Sequence, residues 1–307
     1  MIRMRPYAAL LVFALLAACG KKEQPPATAN TSSAATAAAS QSAADPMPDN
    51  PIQQFAWHTR EIKRLLTRAT PTQADSLYEQ HLAKTTELLE KINRQEDSLL
   101  DNYYSDAYWE TGSSGAVIRP TPVMQAKQEE LAAAGLQFWD VGETIVIVRP
   151  VPDYYYKLFG STVSPDYRDY LAITAEQEKN LDIVDASVAV SWQELGNRVH
   201  AWEDFIRQYP NSKLAANARI RYADYQRVYL TGADNSPVFD ENGFDPHNKE
   251  ARTDWQRYRR EYPQSATAAL IAKMPELAQT PADRRWDAFS QMQKAELGYT
   301  SDSDNGI

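Results

Sequence analysis

Apolar side chains recur every three or four positions over much of this chain, which is the spacing of amphipathic helices. Near the start of the regular part, Phe55, Ile62 and Leu66 follow this spacing before Thr70-Pro71 interrupts it. A longer stripe runs through residues 72–100 in alternating steps of three and four: Tyr78, Leu82, Thr85, Leu89, Ile92 and Leu99. The two segments predict an antiparallel helical hairpin. Its apolar stripe is either part of the core or a coiled-coil docking face.

A different pattern, typical of strands, lies in the middle of the chain. Apolar, β-branched and aromatic residues fill 136–139 and 144–148 and flank the Gly-containing turn 140–143, which predicts a β-hairpin. Residues 187–190 are expected to add a third strand. Residues 101–120 show no clear period and are expected to form a loop that packs its aromatic side chains onto its neighbours.

Together these patterns predict a mainly α protein with helical hairpins, a short α-solenoid-like repeat pair and one small antiparallel β-sheet. The globular domain is expected over residues 51–299, with a helical hairpin part (51–135), a part with the small sheet and aromatic helices (136–190) and a repeat-containing helical part (191–299). Gly135 should end one helix and Ser191 should cap another. A last helix is expected over residues 282–297.

An internal repeat with a period of 53 residues occupies the C-terminal half. The residues Trp202, Tyr209, Pro210 and Ser212 recur at the same offsets as Trp255, Tyr262, Pro263 and Ser265. Proline disfavours the helical conformation of the residue before it, so each Tyr-Pro pair should end a helix. The serine two residues later can cap the next helix. This helix, tight corner and second helix are typical of α-solenoids.

The repeat resembles the divergent tetratricopeptide-like repeats of envelope lipoproteins and assembly factors, over roughly residues 195–275. The resemblance implies helix pairs that stack on one another. It departs from that family in its period of 53 residues, in showing two copies, and in lacking the usual tetratricopeptide consensus. We therefore expect helix-pair packing without a complete superhelical groove.

The N-terminus has the pattern of a signal peptide. Basic Arg3 and Arg5 precede an apolar run that ends in Leu16-Ala17-Ala18 before Cys19, the single cysteine of the chain. This ending resembles the lipobox of bacterial lipoproteins. The resemblance implies a signal peptide over residues 1–18, lipidation of Cys19, membrane attachment through that lipid, and a location at the periplasmic face of the outer membrane.

The segments that flank the globular domain have the composition of unstructured chain. Residues 19–50 are rich in Ala, Ser, Thr, Gln and Pro, and we expect them to form a disordered tether. Residues 300–307 are expected to form a disordered tail.

The charge and the search for catalytic motifs narrow the function. The net charge is −9, and removal of residues 1–18 makes it −11, which argues against nucleic acid as a partner. The four histidines, His58, His81, His200 and His247, lie singly, and no zinc-hydrolase, nucleophile-elbow or phosphate-loop motif is present. No catalytic residue and no cofactor is predicted.

A weak cation site and an aromatic cluster are the candidate ligand sites. The first is a loop between the repeats that carries Asp234, Asn235, Asp240, Asn242 and Asp245. It fails the EF-hand pattern, because Val238 stands where the first aspartate is required. The second comprises Tyr154, Tyr155, Tyr156, Tyr167 and Tyr170, which either belong to the core or line a groove for a ligand.

These observations favour a membrane-tethered envelope lipoprotein that acts as a non-catalytic scaffold or adaptor for another envelope protein. One alternative is a lipoprotein that binds a small ligand or glycan in an aromatic pocket. A second alternative is an envelope hydrolase whose pair of acids is not visible in the sequence.

Overall fold

The computed structural model describes residues 46–112 and 117–299. The predictions for the signal peptide, for Cys19, for most of the tether and for the tail at 300–307 lie outside these residues. The described residues from Pro48 onward belong to one compact unit. Within it helices dominate, so the prediction of a mainly α fold is confirmed.

Eleven helices are present in the described part of the chain. They are α1 (Pro51–Leu66), α2 (Pro71–Gln95), α3 (Asp97–Asp101), α4 (Pro122–Ala134), α5 (Tyr154–Phe159), α6 (Pro165–Gln177), α7 (Trp192–Gln208), α8 (Ala215–Thr231), α9 (Lys249–Glu261), α10 (Ala266–Gln279) and α11 (Ala282–Leu297). The last helix has the bounds that the sequence predicts. None of these helices combines the length and apolar character that crossing a bilayer requires.

The strands form five separate two-stranded antiparallel sheets in the described residues, where one sheet was expected. They are β1 (Trp109–Thr111) with β2 (Val117–Pro120), β3 (Leu136–Asp140) with β4 (Val146–Pro150), β5 (Ile183–Val184) with β6 (Ser187–Val188), β7 (Gly232–Ala233) with β8 (Ser236–Pro237), and β9 (Phe239–Asp240) with β10 (Gly243–Phe244). Strands this short form local hairpins in the segments that connect the helices.

The predicted hairpin of α1 and α2 is present, and its apolar faces lie in the core. Asn50 caps α1 with its side chain, and Thr70 and Gln73 form a reciprocal capping box at the start of α2. The buried line of α2 differs from the predicted stripe. His81 and Leu88 occupy its centre, whereas Leu82 and Leu89 lie half-buried at its edge. The predicted stripe and the observed buried line both alternate steps of three and four residues. Spacing alone therefore cannot decide which of the two faces the core.

The hairpin β3–β4 confirms the strand prediction, with Phe138 opposite Val148. Gly135 ends α4 in the left-handed conformation, as predicted, with φ +79°. The third strand is wrong, because Ser187–Val188 pairs with Ile183–Val184 in its own small sheet. Residues 101–120, expected as a loop, include the short hairpin β1–β2.

The two copies of the repeat form helix pairs, α7 with α8 and α9 with α10, and α7 also packs against α9. Both corners have the same backbone conformation. Tyr209 has φ −126° and ψ 58°, and Tyr262 has φ −127° and ψ 58°. Each of these residues follows the end of its helix, as the Tyr-Pro rule predicts. The side chains of Trp202 and Trp255 are buried at the helix contacts, where the Trp202 indole donates to Gln177 at 2.8 Å.

The serine of each corner donates to a carboxylate from an earlier helix. Ser212 donates to Asp166 of α6 at 2.6 Å, and Ser265 donates to Glu203 of α7. Glu203 also accepts the backbone N–H of Ala266 at 2.8 Å. The prediction that both serines cap a helix holds for Ser265 only. Ser212 binds the N–H of Leu214, but α8 begins at the next residue with Leu214 as its N-cap.

The long insert 232–246 packs on the small sheet β5–β6. The side chain of Asn235 donates to the carbonyl of Asp185 at 2.8 Å. Asp240 and Asp245 accept backbone N–H groups two residues onward, at 2.7 Å each, as in Asx-turns. Across the described residues, no three His, Cys, Asp or Glu side chains come together as a metal ion would require. The side chains of Asn235, Asp240 and Asp245 therefore contribute to the turns and the packing of this loop.

The corner serines predict unequal losses of stability. Ser265→Ala removes the N-cap of α10 and one of the donors to the half-buried Glu203 carboxylate, so we expect a loss of about 1–2 kcal/mol in the free energy of unfolding. The matched variant Ser212→Ala removes a half-buried contact that caps no helix, and we expect a loss below about 1 kcal/mol. Urea unfolding of both variants measures the difference. Equal losses would contradict this account of the two corners.

Candidate functional site

The tyrosines proposed for a ligand groove lie mainly in the core. Tyr154, Tyr167 and Tyr170 are buried, Tyr155 is partly buried, and Tyr156 has 41% of its surface exposed. Tyr170 packs against Trp202 and Phe205 of α7. The packing supports the core interpretation for Tyr154, Tyr155, Tyr167 and Tyr170, which belong to the hydrophobic core or pack against it.

Hydrogen bonds hold the hydroxyl groups of these buried rings. The Tyr154 hydroxyl lies 2.6 Å from Thr59 Oγ1 and 2.8 Å from His81 Nε2. The Tyr155 hydroxyl lies 2.8 Å from Thr85 Oγ1. Tyr154 and Tyr155 of α5 thus join the α1–α2 hairpin through their polar ends, which is how a phenol is accommodated in a core.

His81 is buried at the centre of this arrangement. Burial, and to a smaller extent His58, whose ring centroid is 6.1 Å away, lower its pKa to about 3. Burial also lowers the pKa of His58. The neutral imidazole of His81 stacks on the Tyr154 ring with centroids 5.9 Å apart. His81 therefore acts as a core side chain at neutral pH.

An open aromatic cleft lies elsewhere, beside the β3–β4 hairpin. It has a volume of about 250 Å³ and is lined by Tyr103, Tyr104, Trp109, Phe138 and Asp140. Three segments supply this lining: the turn after α3, strand β1, and strand β3. We call this site the aromatic cleft.

The rings of the aromatic cleft stand at steep angles to one another. Tyr103 is central: its ring makes 81° with Tyr104, 62° with Trp109 and 64° with Phe138. The corresponding centroid distances are 5.0, 5.5 and 5.2 Å. These edge-to-face contacts are favourable in themselves, and they hold the rings as walls instead of a single flat floor.

Asp140 places a carboxylate at the edge of the aromatic cleft. Its side chain accepts a hydrogen bond from the Tyr104 hydroxyl and another from the Gly142 backbone N–H at 2.7 Å. Burial and the bond to Asp140 raise the pKa of Tyr104 to about 12. Burial, with Asp140 nearby, also raises the pKa of Tyr103. Both phenols therefore stay neutral at physiological pH beside a charged carboxylate.

The turn after β3 fixes the position of Asp140. Gly142 has φ +96°, and a Cβ there would lie 3.0 Å from the Asp185 carboxylate. Asp185 in turn accepts the Glu143 N–H at 2.8 Å. A glycine is therefore required for this turn to lie against the β5–β6 hairpin.

Buried carboxylates outside the aromatic cleft are occupied by contacts within the fold. Glu96 pairs with Lys127 at 3.0 Å, and Asp254 pairs with Arg257 at 2.5 Å. Asp254 also accepts the Tyr229 hydroxyl at 2.7 Å. In the described lining of the aromatic cleft, Asp140 is the one carboxylate. The described lining of the aromatic cleft therefore does not present the pair of acids that a glycosidase requires.

The aromatic cleft is not predicted from the sequence. Tyr103, Tyr104 and Trp109 were expected to pack onto neighbours, and Asp140 was placed in a turn. Their approach depends on β3 lying beside the turn after α3, which is a long-range contact. The available signal is a dense group of aromatics outside any helical period.

The burial of His81 predicts a loss of stability in acid. The unfolded chain binds a proton at His81 near pH 6.5, whereas the folded protein does so only near pH 3. Between these values unfolding takes up a proton, so the free energy of unfolding falls as the pH falls, by up to about 1.4 kcal/mol per pH unit. His81→Gln keeps a partner for Tyr154 and should remove this part of the slope.

Urea unfolding from about pH 7 to about pH 5 measures this slope in the wild type and in His81→Gln. His247→Gln is the matched control, because it removes an exposed histidine by the same substitution. An identical pH slope in the wild type and His81→Gln would show that His81 titrates normally in the folded protein.

Comparison with known proteins is the remaining source of information about the site. No family model, no curated protein and no solved structure matches this chain. The function is therefore inferred from the aromatic cleft, from the charge of the chain and from the N-terminal sequence.

Proposed function

We propose that this protein is a lipid-anchored adaptor of the bacterial cell envelope. Cys19 carries the lipid, residues 19–50 form the tether, and the helical domain binds another envelope protein at the periplasmic face of the outer membrane. The role is non-catalytic. The N-terminal sequence Leu16-Ala17-Ala18-Cys19 supports the anchor and the location.

The observation that carries the adaptor role is the open aromatic cleft beside the β3–β4 hairpin. Tyr104 in the aromatic cleft is 48% exposed. Ile145, in the turn between β3 and β4, is 53% exposed. Its backbone carbonyl accepts the Val141 N–H at 2.9 Å. Exposed aromatic and aliphatic side chains around a concave site are characteristic of protein-binding surfaces.

The alternative of a small-ligand or glycan binder receives less support. Its proposed tyrosines are mainly buried, and the aromatic cleft, at about 250 Å³, is smaller than the sites that enclose drug-sized ligands. A site of this size accommodates one side chain of a partner. The hydrolase alternative lacks a supporting observation in the described residues.

Site-specific photocrosslinking in intact cells tests the adaptor role. A photoreactive residue at Ile145 should yield a discrete crosslinked product of higher mass, because this exposed residue lies in the turn that follows Asp140 of the aromatic cleft. The matched position is Leu65, which is 42% exposed on α1 and should yield none. No product at Ile145, or equal products at both positions, would contradict the proposed surface.

The anchor is tested in the same cells. Labelled palmitate should appear on the wild-type protein and not on Cys19→Ser, and Cys19→Ser should leave the membrane fraction. The crosslink at Ile145 should then weaken, since the tether no longer holds the domain near its partner. An unlabelled wild-type protein that is released freely would contradict the anchor and the location.

A further inference from the structure

A group of aromatic walls with one carboxylate at its edge has the chemistry that recognises a cation. We propose that the aromatic cleft binds a lysine or arginine side chain presented by the partner protein. This inference rests on the proposed adaptor function and names the chemistry of the partner at that site.

The ring geometry is the first step. A cation within about 6 Å of a ring centroid is attracted to the negative face of the ring, and several rings add their attraction. Tyr104, Trp109 and Phe138 stand at 62° to 81° to the central Tyr103. Such walls can surround a compact positive group, whereas a sugar ring is recognised by stacking on one broad face.

The carboxylate is the second step. Asp140 is exposed at the edge of the aromatic cleft, and its two hydrogen bonds, from Tyr104 and from Gly142, fix its orientation. An apolar occupant would take water from this carboxylate without replacing its interactions, which costs free energy. A cation replaces that water with an ion pair. An anion would be repelled.

The described part of the chain supplies no cation of its own to the aromatic cleft. Among the described residues, no lysine or arginine pairs with Asp140, and the cations that lie over aromatic rings do so at other sites. One of these is next to the aromatic cleft in the sequence: the Arg149 guanidinium lies 3.8 Å from the centroid of the Trp139 ring. Within the β3–β4 hairpin, the guanidinium of Arg149 therefore already stacks on an aromatic ring. The rings around Asp140 have no such partner in the described residues.

The charge of the whole chain favours the same partner chemistry. The net charge is −9, and −11 after removal of residues 1–18, so the long-range field attracts basic surfaces. A basic side chain that reaches the aromatic cleft therefore adds a local contact to an attraction that already operates at distance.

The test is a titration of the full chain in detergent, with 5-fluorotryptophan at its seven Trp positions and fluorine NMR as readout. Trp109→Phe assigns the Trp109 signal. The probes are N-acetyl-lysine methylamide, the corresponding arginine compound, and N-acetyl-norleucine methylamide as the uncharged match. We expect the two cations to shift the Trp109 signal with dissociation constants on the order of millimolar, and norleucine to leave it unmoved.

Two variants locate the charge. Asp140→Asn keeps an oxygen that can accept the Gly142 N–H and gains an amide that can donate to the Tyr104 hydroxyl oxygen, but it loses the negative charge, so it should weaken cation binding by at least about fivefold. Asp153→Asn is the matched control, because Asp153 pairs with Lys157 at the surface outside the aromatic cleft and should leave binding unchanged. N-acetylglucosamine serves as the neutral sugar probe.

The outcomes separate this inference from the proposed function. A shift with norleucine or with the sugar equal to that with lysine, no shift with any probe, or unchanged binding in Asp140→Asn would overturn the cation site. If the Ile145 crosslink persists undiminished in Asp140→Asn, the result supports the adaptor role and contradicts the cation site. If cations bind but Ile145 gives no crosslink, the result supports the cation site and contradicts the proposed protein partner.

Discussion

Packing of aromatic rings across helix contacts is the interaction on which this fold depends. The chain has a single cysteine, so no disulfide within the chain can join the helices. Rings do so instead. Tyr78 contacts Phe159 and Tyr167, which joins α2 to α5 and α6, and Tyr170 contacts Trp202, which joins α6 to α7. Burial of such large side chains supplies a major part of the stability of a core.

The polar ends of these rings decide how the helices meet. The Tyr167 hydroxyl donates to Glu79, and the Tyr229 hydroxyl donates to Asp254 at 2.7 Å. An unpaired buried hydroxyl would cost free energy, so each of these bonds restricts the position of one helix on another. The same principle separates the two kinds of aromatic group here. Rings whose faces are covered by other rings belong to the scaffold, whereas the rings around Asp140 keep an open side and are available to a partner.

Local signals in the sequence predict much of the fold. Gly135 and the Tyr-Pro corners mark helix ends, and the alternation around 140–143 marks the β3–β4 hairpin, because each depends on a few neighbouring residues. Other features depend on tertiary contacts. His81 lies on the buried line of α2 because Tyr154 accommodates its imidazole. Ser212 fails to cap α8 because that helix begins later, although its corner has the conformation of the second copy.

The candidate site was the least predictable part. The tyrosine-rich segment 154–170 stands out in composition, yet most of its rings pack against α1, α2 and α7 and are covered, and only Tyr156 among its tyrosines is exposed. The aromatic cleft combines Tyr103 with Phe138, and no periodic pattern links two segments so far apart in the chain. Composition identifies aromatic residues, whereas long-range packing decides which of them remain open.

Hydroxyl-radical footprinting of the native protein, read by mass spectrometry, tests this division of the rings most directly. The account predicts rapid modification of Tyr104 and of Tyr156, which are 48% and 41% exposed, and slow modification of the buried Tyr154, Tyr167 and Tyr170. Addition of N-acetyl-lysine methylamide should protect Tyr104 and leave Tyr156 unchanged. Modification of the buried tyrosines at the rate of Tyr104, or equal protection of Tyr104 and Tyr156, would contradict the account.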